Sequence, residues 1–115
     1  MAFQFKQPSE VPAYSTVETF VASISNEISI DRVGHEFDSF TDRFVLTGTN
    51  GRIANLDLSR DLLEDLRDNP SEVSSRYTLE LASKLTSKAR EAIETNGLLS
   101  FADSAMKYAL LRFVE

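Results

Sequence analysis

The chain holds a single histidine and no cysteine, so thiolate chemistry is excluded and any imidazole chemistry rests on one residue. A catalytic triad, a two-histidine metal site or a histidine pair would all have to use His35. It sits in Gly34-His35-Glu36, a stretch that reads as loop, and an isolated loop histidine is expected to be exposed or locally hydrogen-bonded rather than a general base. The lack of cysteine excludes a disulfide framework, a thiolate zinc site, an iron–sulfur cluster and a cysteine nucleophile.

The densest acidic group is Asp57, Asp61, Glu64, Asp65 and Asp68. Helical spacing puts Asp61, Glu64, Asp65 and Asp68 on one broad face, with Asp61 where a helix N-terminus favours negative charge. Magnesium and calcium take carboxylates. Neither a calcium-loop spacing nor a paired strand-end aspartate motif is present, however, and Arg60 and Arg67 stand among the acids. The expectation is a solvated helix face, with docking on a basic protein surface as the next reading, and no metal, cofactor or catalytic residue is assigned.

Gly48-Thr49-Asn50-Gly51-Arg52 lacks the glycine spacing and the Lys-Ser/Thr of a phosphate loop, and a strand pattern follows it, so it reads as a tight turn. Arg76, Lys84, Lys88 and Arg90 are the main basic group, and Glu80 and Glu94 stand four residues from Lys84 and Arg90, as in ordinary helix-surface pairs. The formal net charge is −6. Residues 1–75 carry 13 acids and 6 bases, net −7, and residues 76–115 carry 5 acids and 6 bases, net +1. This balance argues against nucleic acid, whose binding rests on Lys and Arg neutralising phosphates, and favours a protein partner with a basic surface.

These residues must be positioned by a chain of 115 residues, 42% hydrophobic and 26% charged, which suits one globular domain over 1–115. The first ten residues lack the basic start and apolar run of a signal peptide, and no stretch is long and apolar enough for a membrane span. Cytoplasm, or a virion or phage assembled there, is the expected location, with no membrane partner. Phe3 to Lys6 reads as a short strand or extended arm. Ser15 with Glu18 forms a capping box, and Val17, Phe20, Val21, Ile24 and Ile28 recur at helical spacing, predicting a helix over 16–29.

Residues 31–42, with Phe37 and Phe40 too far apart for one strand face, read as a loop with at most a short strand. Residues 43–58 form a hairpin. A three-residue loop, Thr49 to Gly51 with Gly51 left-handed as a bulge, puts Phe44, Leu46, Ala54, Leu56 and Leu58 on one face, whereas a two-residue loop would split them. Ser59 caps a short helix reaching Arg67, with Leu58 stapled to Leu63. Asn69 and Pro70, with Glu72 completing the box, start a second helix whose stripe is Val73, Tyr77, Leu81, Leu85, Ala89 and Ile93, closed by Asn96-Gly97. Its 26 or so residues would span roughly 39 Å, longer than the roughly 34 Å expected of such a domain, which predicts a break near Arg76 to Thr78 or a projecting end.

For the remainder, a helix starting at Ser100 with Asp103, striped by Phe101, Ala102, Ala105, Met106, Ala109, Leu110 and Phe113, is favoured over two strands, Leu98 to Phe101 and Tyr108 to Val114. Tyr108 and Leu111 fall off that stripe, so a helix here is apolar on more than one side and implies burial at both faces or contact with a second chain. The fold class is therefore α+β, a small single domain with an antiparallel hairpin or short sheet packed by three to four helices. The function expected is a noncatalytic protein-interaction domain, an acidic adaptor, chaperone, inhibitor or phage-type accessory protein. Its contact residues are Asp61, Glu64, Asp65 and Asp68, with Tyr108, Leu110, Leu111 and Phe113 in a homodimer or partner contact. The alternative is a self-assembling structural subunit, and a metal-dependent hydrolase or nuclease stands third.

Overall fold

The hairpin sets the centre of the molecule. In the computed structural model, which describes residues 3–35, 40–68, 76–95, 97–102 and 105–113 and the side chains of these except 76–81, β3 (Thr41–Gly48) and β4 (Gly51–Ser59) run antiparallel with Phe44 opposite Leu56 and Leu46 opposite Ala54. This is the register expected of the longer loop, and Phe44, Leu46, Ala54, Leu56 and Leu58 share one face at 0–2% exposure. Gly51 has a positive φ, +107, but it pairs with Gly48, so the loop is the two residues Thr49 and Asn50 and not the three expected. The extra residue lies elsewhere than expected. Gly48 pairs with Gly51, and the register shifts between Leu46 and Thr47, so that Ile53 is the bulged residue.

Among the described residues the hairpin is extended on both sides into a six-stranded sheet of order β1-β2-β3-β4-β6-β5. β2 (Ser29–His35) pairs with β3, and β1 (Gln4–Phe5) pairs with β2. β6 (Tyr108–Phe113) pairs with β4, and β5 (Leu98–Ala102) pairs with β6. Every pairing is antiparallel.

Two expectations are corrected here. The stretch expected to be mostly loop is the seven-residue strand β2. Its pairing skips Asp31, so Ile30 and Val33, three residues apart, both reach the core side; the bulge hides the alternation from a reading at period two. The C-terminal segment expected to be helical is a pair of strands. β6 lies between β4 and β5, so both of its backbone edges are hydrogen-bonded to neighbouring strands. Ala109 and Leu111 face the core at 1% exposure, whereas Tyr108 and Leu110 point to the other face.

α1 (Tyr14–Ile24), α2 (Arg60–Asp68) and α3 (Arg76–Glu94) join one apolar cluster with the core side of the sheet. Val17, Val21 and Ile24 come from α1, Leu62, Leu63 and Leu66 from α2, and Leu85, Ala89 and Ala92 from α3. α1 starts and stops earlier than expected. Ala13, with φ 57, precedes its first turn, and no side chain caps it; Ser15 lies inside the helix, where its carbonyl accepts the Thr19 hydroxyl. At the other end Ser25 is extended and its Oγ accepts the Glu27 amide, turning the chain into β2. The Arg90 guanidinium of α3 donates to the Ile24 and Ser23 carbonyls at 3.0 and 2.6 Å. It caps the C-terminus of α1, where positive charge is favoured, instead of serving as a surface partner for Glu94.

The expected positions Glu36, Phe37, Asn69, Pro70, Glu72, Val73, Asn96, Asp103 and Val114 lie outside the described residues, as do the side chains of Tyr77 and Leu81. None of the described helices is long and apolar enough to cross a membrane.

Candidate docking pocket at the junction of β4 and α2

Strand β4 passes into helix α2 with no intervening loop. Ser59 is buried and its hydroxyl accepts the Leu62 amide at 3.3 Å, the N-cap expected from the sequence, and the Tyr108 amide at 3.0 Å. One side chain thus starts α2 and fixes the beginning of β6 beside it. The Arg60 amide donates to the Phe40 carbonyl at 2.7 Å, bringing the approach to β3 to the same place.

Beneath this junction lies a charged group that the sequence did not disclose. Asp42 is fully buried on β3, with Lys6 Nζ at 2.5 Å and an Arg60 guanidinium nitrogen at 3.7 Å. Lys6 is itself only 13% exposed. Asp42 Oδ2 and Arg60 Nε are buried without a hydrogen-bond partner, so the group is held by charge more than by a complete set of hydrogen bonds. Its sequence signal is weak because residues 6, 42 and 60 are far apart in the chain.

Above it Phe40, Ser59, Arg60, Asp61, Ala105, Met106 and Tyr108 line a pocket of about 280 Å³. Phe40 and Met106 are 67% and 55% exposed. The Tyr108 hydroxyl is 2.5 Å from Thr41 Oγ1, which anchors the ring as a wall. The pocket is lined mainly by apolar surface with a few polar groups at its rim, the composition of a site that takes an apolar group in a fixed orientation.

The expected acidic face is divided by the fold. Asp61 lines the pocket and Glu64 is half-buried one turn on. Asp65 is 16% exposed and lies 3.6 Å from Lys107, the residue before β6. Asp68 hydrogen-bonds Arg67 at 2.7 and 3.1 Å, and that bond holds its carboxyl below the usual range. Among the described residues no three His, Cys, Asp or Glu side chains converge as metal ligands.

The expected apolar contact residues are divided as well. Tyr108 lines the pocket, Leu111 is buried in the core, Phe113 is half-buried opposite Ala54, and Leu110 lies on the other face opposite Asp57. His35 ends β2 opposite Gln4, half-buried, with Nδ1 buried and unpartnered; it is a strand residue and not the loop residue expected. Of the pocket residues, sequence reasoning names Asp61 and Tyr108 as contacts and misses Phe40, Ser59, Arg60, Ala105 and Met106. A helical pattern puts Met106 on a core stripe, and the spacing of Phe40 from Phe37 gives it no strand face. The chain matches no family model, and comparison with curated proteins and with solved structures gives no significant match.

Proposed function

We propose that the chain is a noncatalytic protein-interaction domain whose β4–α2 pocket takes an apolar side chain from a partner segment that carries a basic residue beside it. The observation that carries this reading is the meeting of two sequence patches, with Asp61 of the acidic helix and Tyr108 of the C-terminal apolar segment lining one pocket between exposed Phe40 and Met106. The apolar walls supply affinity by burial. Arg60 is paired with buried Asp42, and Asp61 at the rim with Glu64 one turn further along α2 would steer a basic segment.

The test is selection of random displayed peptides on the wild-type protein and on variants. Wild type is expected to enrich peptides with an apolar residue next to Lys or Arg. Asp61→Lys together with Glu64→Lys is expected to reverse the charge preference and to slow association of a wild-type-selected peptide at least about tenfold at low salt, with much less effect where the Debye length falls below ~5 Å. Met106→Glu is expected to abolish enrichment while far-UV circular dichroism stays unchanged. No enrichment on wild type, or a preference indifferent to Asp61 and Glu64, refutes the reading.

A further inference from the structure

We propose that β5 pairs with β5 of a second copy of this chain about a two-fold axis, joining two sheets into one. The inference is independent of the pocket, which lies at the far side of β6 beside α2.

Among the described residues β5 is the outermost strand at its end of the sheet, bonded to β6 on one side only. Natural edge strands are guarded against pairing by Lys, Pro, bulges, brevity or a covering element. The strand Leu98-Leu99-Ser100-Phe101-Ala102 contains no charge and no proline, and its register with β6 runs unbroken over all five residues. The opposite edge differs. β1 is two residues long, and Arg32 stacks at 5.4 Å over the rings of both Phe3 and Phe5 beside it.

The occupant is specified by self-complementarity. Antiparallel pairing centred on Ser100 sets Leu99 against the partner copy's Phe101 position on the core side and Leu98 against its Ala102 position on the other side. Every cross-strand pair is then apolar or, on the axis, serine with serine, and Leu98, now 62% exposed, is covered. The helix above agrees. Lys88 and Glu91 of α3, with Thr95 just after it, flank a groove against Leu98 and Ser100. Lys88 and Glu91, of opposite charge, both stand beside this edge strand, so a two-fold axis through Ser100 presents a positive and a negative side chain from each copy to the seam, a charge match that a foreign apolar peptide on the edge would not need.

Sedimentation equilibrium over a wide concentration range tests this. Wild type is expected to reach the mass of two chains. Ser100→Lys, at an exposed position, sets like charges opposite each other on the axis. It is expected to raise the dimer dissociation constant at least tenfold, about 1.4 kcal/mol, with an unchanged circular dichroism spectrum. Lys88→Glu is expected to weaken the dimer and Lys88→Glu with Glu91→Lys to restore it. A wild type that stays monomeric, a dimer indifferent to Ser100→Lys, or a charge swap that fails to restore association each overturns the proposal. None of these results depends on Asp61 or Met106, so the dimer and the pocket can fail separately.

Discussion

Asp42 shows how one side chain can be indispensable without being catalytic. Its carboxylate is fully buried between Lys6 and Arg60, and removing one member of a buried charge group leaves the others desolvated and uncompensated. Asp42→Asn is expected to lower unfolding stability by about 3–5 kcal/mol in urea denaturation. Lys6→Met added to it should recover part of that loss, and a cost below about 1 kcal/mol for the single change would show that the group is solvated. The two described residues with positive φ make an opposed pair. Ala13 (φ 57) carries a side chain where a left-handed backbone disfavours one, while Gly51 (φ +107) has no atom within 4 Å of where a Cβ would stand. Ala13→Gly relieves strain but removes a methyl packed against the core, so it should stabilise the protein by at most about 0.5–1 kcal/mol, whereas Gly51→Val should destabilise it by about 1–2 kcal/mol through backbone strain. Melting curves showing the same sign for both would contradict that account.

Among the elements, β1 has the least holding it. It contributes two residue pairs to the sheet, Gln4 with His35 and Phe5 with Gly34, and the Lys6 amide adds a bond to the Val33 carbonyl. Gly34 is what allows the approach. A Cβ there would stand 2.1 Å from the Gln4 carbonyl oxygen and 2.7 Å from the Phe3 ring, closer than any real contact. Gly34→Ala is expected to lift β1 from β2 and speed exchange of the Lys6 amide, while the amides of β3 and β4 stay protected. Unchanged protection at Lys6 would mean that β2 yields instead. Such a variant would also loosen Lys6 from Asp42, so its stability cost should overlap with that of Asp42→Asn rather than add to it.

For the molecule as a whole, one apolar cluster draws residues from all three described helices and from the sheet, and the radius of gyration of 13.2 Å matches the ~13 Å of a single domain of this length. Unfolding in urea is therefore expected to be one cooperative step, with far-UV circular dichroism and tyrosine fluorescence giving coincident transitions. Two separated transitions would show that α2 or the edge strands form a unit of their own.

Local pattern determined what local physics controls. The one-sided burial of Phe44, Leu46, Ala54, Leu56 and Leu58, the positive φ at Gly51, the Ser59 cap and the α+β class were all legible from residue types and short spacings, because turns, caps and amphipathic faces are settled within a few residues. Tertiary structure decided the rest. Residues 98–113 had apolar residues compatible with either helix or strand, and only the free edge of β4, with Leu111 docking opposite Leu56, selects strand. Likewise the skipped Asp31 in β2 is defined by β3 and not by β2 itself. The Lys6–Asp42–Arg60 group and the pocket joining Asp61 to Tyr108 exist only because distant segments meet, and no periodicity within any one segment encodes such a meeting.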